Sequence, residues 1–266
     1  MEAEVYTLIK SNVKKILNID LNYYKDEQMK RRLDSWFTRT HQNTWPDYFR
    51  IIAQNEMELS KFRDYLTINV TEFFRDPDRW AMLRKNVMPG LLKEAARPGE
   101  IRRGLRVWSA GCSIGVEAYT LSMLLEEEAP HQAHLLLATD MDRGALTKAK
   151  ARGPYNNDEI RNLTPEQRSR FMDLGANSHF IKDSVARKVT FREQNMLEDR
   201  FDANFDLIVC RNVVIYFTND AKTHLYTKFN AALRPGGVLF LGGTEIIPRP
   251  QDLGFQNYGI SFYIKQ

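Results

Sequence analysis

Apolar side chains recur at helical spacing in the N-terminal part of the chain. Val5, Leu8, Ile9, Val13, Ile16 and Leu17 predict one amphipathic helix, and Met29, Leu33, Trp36 and Phe37 a second. A third is predicted to start at Thr44-Trp45-Pro46, where proline suits a first turn, and a fourth carries Met57, Leu59, Phe62 and Leu66. Together they predict a small helical bundle.

Near Arg97-Pro98-Gly99 the pattern changes character. Leu105–Ala110 reads as a strand, Val116–Glu127 as a helix, and His134–Thr139 as a second strand ending in Asp140-Met141-Asp142. A helix over Gly144–Ala151 precedes a polar insertion, residues 152–187. Strands follow at Lys188–Arg192 and Phe205–Cys210, then a helix at Asn219–Leu233 and a turn at Arg234-Pro235-Gly236-Gly237. Val238–Leu241 and Ile260–Ile264 are the final strands. Strand and helix in alternation predict an α/β, doubly wound sheet with ligands at the carboxyl ends of its strands. The expected divisions are an all-helical domain over 1–75, a helical linker over 76–98, and an α/β domain over 99–266 interrupted by 152–187.

Composition narrows the class. The 266 residues are 43% hydrophobic and 27% charged, with mean hydropathy -0.48, which suits a folded chain with an ample core rather than a disordered or membrane-embedded one. No apolar run approaches the roughly 18 to 20 residues of a bilayer span. The chain opens Met1-Glu2-Ala3-Glu4 rather than with a basic and then apolar leader, so a cytoplasmic location is expected. Cys112 and Cys210 stand far apart beside apolar runs and read as reduced core residues, neither a disulfide framework nor a zinc spacing. His131 and His134 lack nearby ligand partners, so no metal site is expected. A net charge of +4 falls short of the concentrated basic tracts that track nucleic acid, which is not expected as a partner.

The candidate chemistry gathers where strands end. Val107-Trp-Ser-Ala-Gly-Cys-Ser-Ile-Gly115 places small residues at a strand-to-helix turn, where backbone can approach a ligand closely. Gly111 and Gly115 do not make the G-x-G-x-x-G run that admits a pyrophosphate, which counts against NAD and FAD. Asp140 stands where an acidic residue accepts hydrogen bonds from a ribose diol; an Asx turn or helix cap shared with Asp142 accounts for it equally well. A single acidic diol ligand with a glycine-poor loop fits S-adenosylmethionine. Asn195-Met196-Leu197 offers an amide for the edge of an adenine and an apolar side chain for its face, and reads as readily as an ordinary loop. Asp206–Phe217 is a buried strand whose end carries Arg211 and Asn212, without the prolines usual in amino-methyltransferases that act on nucleobases.

Five segments in order, Ile68–Asp76, Trp108–Glu117, Ala138–Asp142, Gln194–Leu197 and Cys210–Phe217, resemble the CheR family of chemotaxis receptor methyltransferases. The resemblance spans nearly the whole chain, and Tyr24–Leu33 looks most like the Gram-positive versions. It implies a Rossmann-like class I methyltransferase sheet with an N-terminal helical, receptor-recognising domain and a small inserted β-subdomain at 152–187. It also implies transfer of a methyl group from S-adenosylmethionine to glutamate side chains of the cytoplasmic helical bundle of chemoreceptors, giving glutamate methyl esters and S-adenosylhomocysteine. The expected enzyme is a monomer recruited to membrane receptor arrays without inserting in the membrane.

Carried over by position, the cofactor ligands are Asn69, Thr71, Arg75, Glu117, Asp140, Asn195, Met196, Asn212 and Val213. One motif departs: the family usually shows Gly-Glu-Glu-Pro-Tyr, and here the run is Gly115-Val116-Glu117-Ala118-Tyr119. A glutamate carboxylate is ionised at neutral pH and needs no general base, so catalysis requires orientation and partial removal of water. Arg75 and Tyr216 are the candidates, by a planar fork and a hydroxyl respectively. Lys25, Gln28, Arg31 and Arg32 are spaced to lie along one helix face that could meet an acidic receptor helix, and a solvated charged face accounts for them as well. Two rivals stand beside this reading: a methyltransferase with a different acceptor, and a non-catalytic module that senses S-adenosylmethionine.

Overall fold

The computed structural model describes residues 1–67, 71–96 and 104–266, so the change of pattern at Arg97-Pro98-Gly99 lies outside the described residues. The chain divides into two compact units, Met1–Asn69 with Tyr216–Thr223, and Val70–Ile215 with His224–Gln266.

The first unit holds α1 (Ala3–Leu17), α2 (Asp26–Phe37), α3 (Trp45–Ile52) and α4 (Glu56–Leu66). Each start follows from local chemistry. Thr44 and Asn55 accept N–H groups of Asp47 and Glu58 with their side chains, and Asp26 and Glu27 occupy the first turn of α2. The α1 core stripe is Tyr6, Ile9, Val13 and Leu17; Leu8, expected in it, is exposed. Leu8 falls one residue before Ile9 and so off that face, whereas the Tyr6 ring reaches the core while its hydroxyl donates to Asp26 Oδ1 at 3.1 Å. Met57, expected on the apolar face of α4, is exposed as well.

Aromatic rings fill the interior. Phe37 stacks on Trp45 at 4.6 Å, Trp45 also meets Tyr48, Phe49 and Phe62, and Trp36 Nε1 donates to the Tyr48 hydroxyl at 2.7 Å. Trp45→Ala is expected to destabilise this unit by about 3–5 kcal/mol, read as a lower denaturant midpoint by circular dichroism. A loss below about 1 kcal/mol would mean that the cluster closes over the gap. Tyr216–Thr223 joins the unit through backbone pairing: Lys25 N–H donates to the Tyr216 carbonyl at 3.0 Å and Thr218 N–H to the Tyr23 carbonyl at 2.8 Å.

The second unit opens with α5 (Pro77–Met82), a wide turn at Leu83–Val87, and α6 (Met88–Ala95). Its sheet strands are β1 (Arg106–Ala110), β2 (Leu135–Asp140), β5 (Val189–Glu193), β6 (Phe205–Cys210), β7 (Leu233–Leu241), β8 (Phe255–Asn257) and β9 (Phe262–Lys265). They run in the order β5-β2-β1-β6-β7-β9-β8, with antiparallel pairing only where β9 meets β7 and β8. Helices α7 (Val116–Glu128), α8 (Arg143–Lys150) and α11 (Asn219–Ala232) alternate with the strands. All six side chains of β6 are buried, as expected for a central parallel strand covered on both faces. One is Asp206, whose oxygens accept the Arg106 N–H at 2.7 Å and Arg234 Nε at 2.6 Å.

Two details depart from the expected elements. The Arg234–Gly237 turn lies inside β7, looping out between Leu233, which pairs with Phe205, and Val238, which pairs with Leu207; Pro235 has no N–H to offer the ladder. The short β8 was not expected, because three residues carry no readable period.

In the insertion, α9 (Pro165–Phe171) begins with a capping box of Thr164 and Gln167. The β content there is a ribbon of β3 (Met172–Asp173) and β4 (Phe180–Ile181), with an isolated bridge between Tyr155 and His179; α10 (Asp183–Ala186) closes it. Buried Tyr155 ties the insertion to the sheet, its hydroxyl donating to the Ile114 carbonyl at 2.8 Å.

Candidate cofactor site

The sheet order places a switch point at the carboxyl ends of β1 and β6, since β1 has β2 on one side and β6 on the other. The turn after β1 is tightly held. Gly111 and Cys112 donate their N–H groups to the Thr139 carbonyl, Gly111 and Gly115 have φ of 82° and 87°, and Ser113 has φ 48°. A Cβ on Gly111 would lie 2.8 Å from Val213 Cγ2 and 3.5 Å from Met196 Cε, so its missing side chain opens a narrow cradle walled by two of the expected cofactor residues.

Asp140 ends β2 and is half-buried. Its Oδ2 accepts the Ser113 N–H at 2.7 Å and its Oδ1 the Asp142 N–H at 2.9 Å, while Asp142 caps α8 by accepting the Ala145 N–H at 3.0 Å. Asp142 thus takes the helix cap, and Asp140 makes the Asx turn through the Asp142 N–H. A carboxylate has about four acceptor positions. The Met141 N–H acts on Asp140 as well, which still leaves acceptor capacity for a diol. Burial pushes its pKa up to about 6, against the pull of the Asp142 and Ser113 N–H groups.

Glu117, on the first turn of α7, accepts the Ser109 hydroxyl at 2.7 Å. Burial pushes it up to about 7, Glu245 acts in the same direction, and Arg211 and Arg75 oppose it. Val116 and Ala118, where the family motif departs, are buried in the helix core and leave Glu117 in place.

Thr71 and Arg75 stand on a segment pinned at its middle. Phe73 N–H donates to the Glu159 carbonyl at 2.8 Å, Asn162 Nδ2 donates to the Phe73 carbonyl at 3.1 Å, and Trp80 Nε1 to the Arg75 carbonyl at 2.9 Å. Asn69 lies outside the described residues. Asn195 uses its side-chain oxygen within its own loop, accepting the Leu197 N–H at 3.1 Å, and Lys228 Nζ holds the Met196 carbonyl at 2.7 Å. Asn212 has φ 59° and Val213 follows it at the end of β6.

Thus Arg75, Glu117, Asp140, Met196, Asn212 and Val213 gather around the ends of β1, β2 and β6. Tyr216 belongs to the first unit, where its phenol acts on Arg32. Lys25, Gln28 and Arg31 are exposed along α2, but Arg32 is not a free member of that face. Its guanidinium donates to the Tyr65 carbonyl and lies 4.8 Å from the Tyr65 ring centre. Seven positions after Lys25, it sits beside the buried stripe of Met29 and Leu33 and braces α2 against α4.

Sequence reasoning missed Glu245 and the reach of Arg211. Arg211 is buried, donates from Nη2 to Asp76 Oδ2 at 2.7 Å, and lies against the rings of Trp80 and Phe240. The readable signal for Glu245 was an acidic residue in a glycine-rich turn directly after an apolar strand. Among the described residues no group of acidic, histidine or cysteine side chains is placed to hold a metal ion, and no helix is long and apolar enough to cross a membrane.

Comparison with known proteins agrees with this geometry. The family described as "CheR methyltransferase, SAM binding domain" matches residues 69–264, and "CheR methyltransferase, all-alpha domain" matches 4–67. A chemotaxis protein methyltransferase of Listeria innocua is 39% identical over 254 residues, covering 95% of this chain and 94% of the relative. That of Listeria monocytogenes has the same identity and coverage. Chemotaxis protein methyltransferase 1 of Pseudomonas aeruginosa is 37% identical over 193 residues, covering 69% of this chain and 68% of its own. With both family domains matched in order over nearly the whole chain, and relatives 39% identical along their own length, the chain belongs to the CheR family of S-adenosylmethionine-dependent chemotaxis methyltransferases.

Proposed function

We propose that the protein methylates glutamate side chains on the cytoplasmic helical bundle of chemoreceptors, producing glutamate methyl esters, as a monomer in the cytoplasm recruited to membrane receptor arrays. The observation that carries this reading is the pair of half-buried carboxylates, Asp140 and Glu117, on either side of the Gly111–Gly115 turn in a chain that matches the chemotaxis family throughout. Asp140 takes the ribose diol, Glu117 the ammonium of the methionine part, and Met196 and Val213 flank the adenosine. Thr71, Asn195 and Asn212 complete the polar contacts, with Asn69 carried over from the motif.

When bound, S-adenosylmethionine supplies an electrophilic sulfonium methyl; the acceptor oxygen bonds to it as the carbon–sulfur bond breaks, and the electron pair stays on sulfur in S-adenosylhomocysteine. Arg75 orients a carboxylate, its charge already directed at this site through its effect on Glu117. Tyr216 enters on its place in the Cys210–Phe217 motif, as a hydroxyl that positions the attacking oxygen. Lys25, Gln28 and Arg31 meet the acidic receptor helix, and Arg32 holds the helix that carries them.

The test is transfer of labelled methyl from S-adenosylmethionine to a purified receptor cytoplasmic fragment, followed by mild alkali. Wild type is expected to give alkali-labile label, and Arg75→Ala to lower the rate by roughly 100-fold. Alkali-stable label would assign another acceptor. Tight cofactor binding without transfer to a methylation-competent receptor would favour the sensor reading.

A further inference from the structure

Glu245 follows β7 and is 3% exposed, yet neither the family motifs nor the proposed cofactor contacts use it. Its carboxylate is held by backbone alone. Oε2 accepts the N–H of Asn212 at 2.8 Å and of Gly242 at 2.7 Å, and Oε1 accepts the N–H of Val214 at 2.9 Å. These donors, joined by the backbone of Val213, belong to two loops, the one that ends β6 and the one that ends β7, which makes the side chain a built-in anion at the centre of a backbone nest. Gly242 is what admits it: a Cβ there would lie 2.6 Å from Glu245 Oε2 and 2.9 Å from the Asn212 nitrogen.

The clasped loop is the one that matters to the cofactor. Asn212 is held in the left-handed region at φ 59°, and Val213, between two clasped residues, presents the methyl that walls the Gly111 cradle. Without the clasp the Asn212 and Val214 N–H groups lose their carboxylate partner, and the backbone of Val213 loses the carboxylate that it also faces.

We infer that Glu245 is a positioning residue for S-adenosylmethionine, setting the Asn212–Val213 wall of the cofactor cradle from behind without touching the cofactor. This rests on the proposed placement of the cofactor against Val213 and Gly111. The experiment measures S-adenosylhomocysteine binding by calorimetry for wild type, Glu245→Gln, Glu245→Asp and Gly242→Ala, each beside its unfolding midpoint.

Glu245→Gln is expected to weaken binding about 10- to 100-fold, because the amide keeps one acceptor oxygen and sets an NH2 donor against the remaining N–H groups, with Asp intermediate. Gly242→Ala, which leaves the carboxylate intact but displaces it, is expected to weaken binding in the same direction. In methyl transfer the KM for S-adenosylmethionine should rise by more than kcat falls. Lowered midpoints with unchanged affinity would make the clasp purely structural and overturn the inference, as would Gly242→Ala binding like wild type while Glu245→Gln does not. Should Glu245→Gln fail to fold, Asp and Gly242→Ala decide it by the same criteria. Failure of wild type itself to bind would reject the cofactor placement instead, a distinct result.

Discussion

Asp140→Ala is expected to weaken S-adenosylhomocysteine binding by roughly 100- to 1,000-fold, the loss of two charge-assisted hydrogen bonds to a diol. The same change strands the Ser113 and Asp142 N–H groups, so part of the effect arises from a loosened turn after β1. Asp140→Asn separates the two contributions. It keeps an acceptor for one N–H but brings a donor where the diol would donate, and should still cost most of the affinity. Calorimetry on both variants checks this, with circular dichroism to show that the sheet remains. Binding within about threefold of wild type in both would remove Asp140 from the site.

The second large effect is a dependence of cofactor affinity on pH. Burial holds Glu117 near a pKa of about 7, well above its ordinary 4.5. An ammonium beside it favours the ionised form, so affinity should rise about tenfold per pH unit below 7 and flatten above. It should decline again once the cofactor's own amine, with a pKa of roughly 7.7 to 8.0, loses its proton. Asp140, at about 6, steepens the lower limb. Glu117→Gln should flatten the profile between pH 6 and 7.5 and weaken binding at the upper end by about 10- to 100-fold.

Folding stability moves the opposite way. Between 4.5 and about 7 the folded chain without cofactor holds a proton on Glu117 that the unfolded chain has released, so its stability declines as pH rises through that window. Calorimetric titrations at half-unit steps would read the affinity limb. An unchanged profile in the Gln variant would assign the pH dependence to another group.

What could be read from the sequence was what local chemistry decides. The parallel strands and their helices were legible because apolar runs, small turn residues and caps repeat there at regular spacing. The placement of Asp140 was legible because strand end and acidic residue coincide, and the fold divides the turn and the cap between Asp140 and Asp142. The rest depends on partners far along the chain. Tyr6 joins the α1 stripe with its hydroxyl satisfied by Asp26, twenty residues on. Arg32 turns inward because Tyr65 lies across from it. Glu245 becomes a clasp only when β6 and β7 lie side by side, which brings residues 33 positions apart into hydrogen-bond distance.

The insertion is fastened at its root by bonds to the site-bearing segments, while its tip is exposed and, among the described residues, tied only within the insertion, Asn157 Nδ2 donating to Asn177 Oδ1 at 2.7 Å. Tyr155, Glu159 and Asn162 hold the carbonyl of Ile114 in the glycine turn and both backbone groups of Phe73 beside Arg75. None of those bonds reaches residues 174–178, and Leu174 and Phe180 at the ribbon stand exposed. A graft that exchanges the tip between relatives should therefore leave methyl-donor handling intact. One that moves Tyr155 by a single residue would pull on the turn itself.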